Sequence, residues 1–205
     1  MAASSRDKDF VHRLLDRIAT TTGAEPRMIA RNIADFEIGL SAFNIRENLK
    51  DELASKPDMI ILAIGENASS PTTDESRTQF TTALAGLLAE LKQSRQPQTT
   101  IIVRSLFLQD AEKDKLIKRV CINAEVIFID ISTLGVEEAN CARSERQIPS
   151  YVLQNHILFQ DNYLAGVERE VSELCKYRWH KAEGFQYVTM ATRLADADQF
   201  ILIVE

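Results

Sequence analysis

The residues best placed to do chemistry are Gly65, Glu66 and Asn67, which directly follow the most apolar run of the chain, Asp58 to Ile64 (DMIILAI). A glycine there lets the backbone turn through dihedrals closed to other residues, and an asparagine amide offers N–H donors to a cleft. A donor aimed at a developing oxyanion lowers an acyl-transfer barrier by about 3 to 4 kcal/mol. The same asparagine could instead cap the turn that follows, a role asparagine fills readily. Glu66 could also pair with Asp110, beyond the next apolar run, as two carboxylates for acid–base work, although acids at the ends of neighbouring strands meet by chance as well. The histidines are His12, His156 and His180. His156 stands among Leu153, Ile157, Leu158 and Phe159, a setting that suits a structural imidazole as readily as a base. His12 borders the apolar stripe of a helix, and His180 sits in a basic helix end where cations complement the dipole.

Other chemistries lack their residues. No GxGxxG or GxxxxGK[ST] string is present for nucleotides, no HExxH, and no His/Cys/Asp set with metal spacing, so no cofactor and no metal are expected. Cys121, Cys141 and Cys175 are odd in number and widely spaced, which fits reduced, buried thiols rather than a zinc site or a disulfide framework. A net charge of -6 argues against a nucleic-acid partner, which needs a basic face. No apolar run approaches the roughly 20 residues of a membrane span, and the first residues have no apolar signal-peptide core, so a cytoplasmic protein is expected.

The elements that must position Gly65 to Asn67 follow from periodicity. Phe10, Val11, Leu14, Leu15 and Ile18 form the stripe of an amphipathic helix over Lys8 to Thr20, with Gly23 as its stop. Arg27 to Phe36 (RMIARNIADF) is predicted to pair as a strand, and Ala42 to Leu53 to be a weaker helical piece. Asp58 to Ile64, Thr99 to Leu106 (TTIIVRSL) and Glu125 to Ile131 (EVIFIDI) are three buried strands. Between them, Glu75 to Lys92 and Glu112 to Asn123 have helical spacing. Strands alternating with helices imply βαβ units, hence a parallel sheet covered on both faces. Gly135 to Gln147 reads as a surface loop, with Glu137 and Glu138 solvated. Asp161 to Lys176 reads as a helix, and Phe185 to Met190 and Phe200 to Val204 (FILIV) as strands.

Gly65-Glu66-Asn67 after an aliphatic strand resembles the third block of the SGNH (GDSL-type) hydrolases, written GxND or GEN. Met1 to His12 (MAASSRDKDFVH), Arg31 to Glu37 (RNIADFE) and Ala139 to Glu145 (ANCARSE) resemble segments of one bacterial branch of that superfamily. The resemblance covers about residues 1–146, an α/β domain, and leaves 147–205 as a C-terminal extension. It implies a flavodoxin-like parallel sheet with helices on both faces, and hydrolysis of carbohydrate or simple acyl esters by a serine nucleophile. It also implies a histidine base and an oxyanion hole that includes the block-three asparagine. Carried over, Asn67 is the oxyanion donor, Gly65, which shapes the turn, and Glu66 are substrate-binding, and His156 is the histidine in a place comparable to the base. The family's serine follows the first strand in a Gly-Asp-Ser or Gly-Asn-Ser block upstream of the segment like Met1 to His12. Neither string occurs here, and Ser4 and Ser5 fall where a helix cap is expected. The first strand is therefore expected to be missing, and Phe200 to Val204 is a candidate to fill its place, because a vacant central position would strand backbone groups on both neighbours. These readings leave a hydrolase-family protein that is truncated or inactive as it stands, or active only with residues upstream of Met1, beside a non-catalytic binding module on the same scaffold and a truncated gene product with no selected function.

Overall fold

Unbroken aliphatic runs bounded by turn residues bury both faces most readily in a parallel sheet, and the computed structural model has such a sheet. The structure describes residues 10–94, 99–136 and 200–204. Two compact units divide the chain, one holding Arg27–Asp130 with Phe200–Glu205 and the other Met1–Pro26 with Ile131–Gln199.

In the second of these, α1 (Phe10–Thr22) buries Val11, Leu14 and Ile18. It ends where the Gly23 N–H bonds to the Ala19 carbonyl at 2.8 Å and Gly23 takes φ +73. That is the glycine stop read from the sequence. A 3-10 turn at Leu134–Val136 also belongs to this unit.

The other unit runs β1 (Arg27–Arg31), α2 (Ala34–Gly39), a 3-10 turn (Leu40–Ala42), α3 (Ile45–Asn48) and α4 (Lys50–Ala54). It continues through β2 (Met59–Leu62), α5 (Asp74–Ser94), β3 (Thr100–Arg104), α6 (Ala111–Asn123), β4 (Ile127–Ile129) and β5 (Phe200–Val204). The strands form one five-stranded sheet in the order β1-β5-β2-β3-β4, and every pair is parallel. β5 lies between β1 and β2, Ile201 opposite Met28 on one side and Met59 on the other. A flavodoxin-like sheet runs 2-1-3-4-5. The observed order is compatible with such a sheet, with Phe200–Val204 standing between β1 and β2.

The steps from β1 to β2, β2 to β3 and β3 to β4 all move the same way across the sheet, and right-handed crossovers then put their helices on one face. One core accordingly gathers Phe36, Leu53, Leu84, Leu87, Leu88, Leu91, Ile117 and Val120 against Ile60, Leu62, Ile101 and Val103. The described helices of this unit share that face. Met59, Ile61, Ala63 and Ile102 alternate to the other face and are buried too. α5 begins in a reciprocal cap, the Ser76 N–H donating to Thr73 Oγ1 at 3.1 Å and the Thr73 N–H to Ser76 Oγ at 3.0 Å.

Two expectations change. The stretch Arg27 to Phe36 is a strand only to Arg31. The Asn32 side chain then accepts the Ala34 N–H at 2.9 Å, and the chain turns into α2. β4 is not buried on both faces: it borders the sheet, with Ile127 and Phe128 half-buried and only Ile129 inside.

Candidate functional site

Ligands approach an open parallel sheet at the carboxyl ends of its strands, and beyond β2 the chain runs through buried Ala63 and Ile64 into Gly65. Gly65 has φ +111, and a Cβ there would meet Leu106 Cδ2 at 2.8 Å. Only glycine combines that dihedral with that contact.

The next three residues are held from three directions. Glu66 Oε1 accepts Arg104 Nη1 at 2.9 Å and the Phe107 N–H at 2.9 Å, which ties the turn to the end of β3. Glu37, on α2, is buried at 4% exposure, and its Oε2 accepts the N–H groups of Asn67 at 2.7 Å and Ala68 at 3.2 Å. The Asn67 amide Nδ2 faces Glu37 Oε1 at 3.5 Å, while Asn67 itself is exposed. From α6, the buried Lys113 donates its ammonium to the carbonyls of Gly65 at 2.9 Å and Ala68 at 2.6 Å. An amide fixed by one hydrogen while its residue stays in contact with solvent can offer its second hydrogen to a ligand.

Electrostatics follow from these partners. Burial pushes the Glu37 carboxyl above its ordinary value, and the N–H groups of Asn67, Gly65 and Ala68 pull it only part of the way back. Burial also pushes Asp114 up against the opposing Leu106 N–H, and the nearby charges of Asp130, Glu66 and Asp110 add to the rise. For Asp110 burial works upward, but the Ser70 hydroxyl, the Lys113 N–H and the Lys113 charge outweigh it and hold the carboxyl below the usual range.

Gly65, Glu66 and Asn67 thus meet at one place, at the mouth of the sheet. Both acids have structural partners: Glu66 serves Arg104 and Phe107, and Asp110 caps α6 by accepting the Lys113 N–H at 3.0 Å. His156 lies outside the described residues, as do the segments 137–199 read above as loop, helix and strand. Sequence reasoning missed Glu37, Arg104 and Lys113. Lys113 had a signal, since it falls at helical spacing with Leu116, Ile117 and Val120 on the apolar stripe of α6. Arg104 had another, a charge closing the apolar run of β3.

No protein-family model, curated protein or solved structure matches this chain. Among the described residues, no helix is long and apolar enough to cross a membrane, and no group of three or more His, Cys, Asp and Glu side chains could hold a metal ion.

Proposed function

We propose that the turn after β2 is the oxyanion-binding half of an SGNH-type ester-hydrolysing cleft that takes small acyl esters, acetylated carbohydrates among them. The observation that carries this reading is the exposed Asn67 amide, held against a buried carboxylate at the carboxyl end of a parallel strand. Attack on an ester carbonyl places negative charge on its oxygen, and a donor already fixed in position stabilises that charge without reorganising. In the resembling family the serine follows the first strand, and here β5 holds the sheet position beside β2. No Gly-Asp-Ser or Gly-Asn-Ser string occurs in the 205 residues, so Asn67 is assigned the stabilising role and no residue the nucleophilic one.

The test is hydrolysis of 4-nitrophenyl acetate by the 205-residue chain and by any longer native form, each beside Asn67→Ala. Loss of an oxyanion donor should lower kcat by about 100- to 1,000-fold. Activity indifferent to Asn67→Ala, or none in either form, would overturn the catalytic reading.

A non-catalytic binding module is favoured by another feature of the turn: Glu37 and Lys113 bond directly to its backbone, and its Glu66 is tied to Arg104 and the Phe107 N–H, as a site built to hold a shape would be. Saturable binding of acetyl esters without turnover, lost in Asn67→Ala, would select that reading.

A further inference from the structure

The contacts around Gly65–Ala68 have a polarity that no single hydrogen bond shows. The N–H groups of the turn point to a buried carboxylate and its carbonyls to a buried ammonium, and the two charges come from different helices, α2 and α6. Ala68 is gripped at both ends of its residue, its N–H by Glu37 and its carbonyl by Lys113. Both residues are almost fully removed from water, at 4% exposure each. Long charged side chains are seldom buried this far unless the groups they meet satisfy them. Neither residue needs such a place to fold its own helix, because α2 and α6 each bury apolar side chains on the same core.

We infer that Glu37 and Lys113 are a matched pair of positioning residues that set the Gly65–Ala68 turn from opposite sides and thereby aim the Asn67 amide. This deepens the reading of Asn67 as an oxyanion donor and rests on it for its catalytic meaning, while the pairing itself concerns the turn alone. Glu37 occupies one Nδ2 hydrogen and the backbone N–H of Asn67, which restricts the side chain to the orientation that leaves the second Nδ2 hydrogen for a ligand. Lys113 keeps the peptide planes on either side from rotating away from Glu37. Charge-assisted bonds are about twice as strong as neutral ones, so the turn should open far less often than other exposed loops of this chain.

The pairing is read by backbone amide hydrogen exchange of the full chain, residue by residue. In the wild-type protein the N–H groups of Asn67 and Ala68 should exchange about 100-fold or more slowly than in an unstructured peptide, although Asn67 is exposed. Exchange at the peptide rate would overturn the inference without any variant. Glu37→Gln and Lys113→Met should each speed exchange at Asn67 and Ala68 by about 10-fold or more, with Ile60–Leu62 in β2 unchanged as the control for folding. The double variant should match the worse single variant, because a turn released on one side gains little from the other. Additive losses, or acceleration spread equally over β2, would overturn the pairing. Where ester turnover is measurable, Glu37→Gln should lower kcat and leave KM unaltered. A protected turn in a protein without ester turnover would sink the catalytic reading and leave the pairing intact.

Discussion

Glu37 sets the terms at the residue scale. Its carboxyl is pushed up by burial, so the folded protein holds its proton to higher pH than the unfolded chain does. The contribution of this group to stability is therefore full below the ordinary carboxylate range and is lost as pH rises through the raised value. Glu37→Gln has no such titration, and urea midpoints measured from acid to neutral pH should show the wild type losing ground to the variant. A difference that is flat, or of opposite slope, would mean that the N–H bonds outweigh burial. Ionised Glu37 thus holds the turn at some expense in global stability, the trade expected where a site must be preset. Cys121 is a simpler case. It is fully buried, burial pushes its thiol up to about 12, and thiolate is the reactive form. Peptide mapping after treatment with a thiol reagent should find Cys121 unmodified in the native protein and modified only after denaturation.

At the scale of elements, the turn after β2 depends on one backbone conformation. Gly65→Ala would meet both φ +111 and the Leu106 side chain, and should lower stability by about 2 kcal/mol or more in thermal or urea unfolding. A cost below half of that would show that Leu106 and the loop relax freely. The elements themselves were legible to differing degrees. β2, β3, α5 and α6 follow from apolar periodicity because packing on the sheet is what selects those residues, and the ends observed fall within two residues of those read. The stretch after Arg31 was misread because Ile33 and Phe36 suit a strand as well as a helix. The turn in which the Asn32 side chain accepts the Ala34 N–H favours the helix, and apolar spacing does not register it. At the site, Gly65 and Asn67 could be found from their place after a buried strand. Glu37 could not, since its value comes from contacts 30 residues away along the chain.

At the scale of the molecule, the sheet is completed by the strand that comes last in sequence among the five. β1 and β2 each pair with β5 along its length and not with one another. A chain ended at Gln199 should leave two facing rows of backbone groups without partners and lose the cooperative unfolding transition of this unit. A transition of undiminished sharpness would mean that β1 and β2 close the gap themselves. The expectation that Phe200–Val204 lies within the sheet comes from the resemblance to a family whose first block has no counterpart here, because strand order is not written in periodicity.

That placement also fixes an order in time. A ribosome releases β1 to β4 before β5, so the middle of the sheet is the last part to be made. Until Phe200–Val204 emerges, the nascent chain holds two open parallel edges facing one another across a strand-wide gap, each able to recruit a strand from a neighbouring chain. Closure joins segments far apart in sequence, which makes it a slow step. Synthesis rate and chaperone supply, beside the strength of contacts in the finished fold, should therefore govern how much of this protein is recovered from a cell.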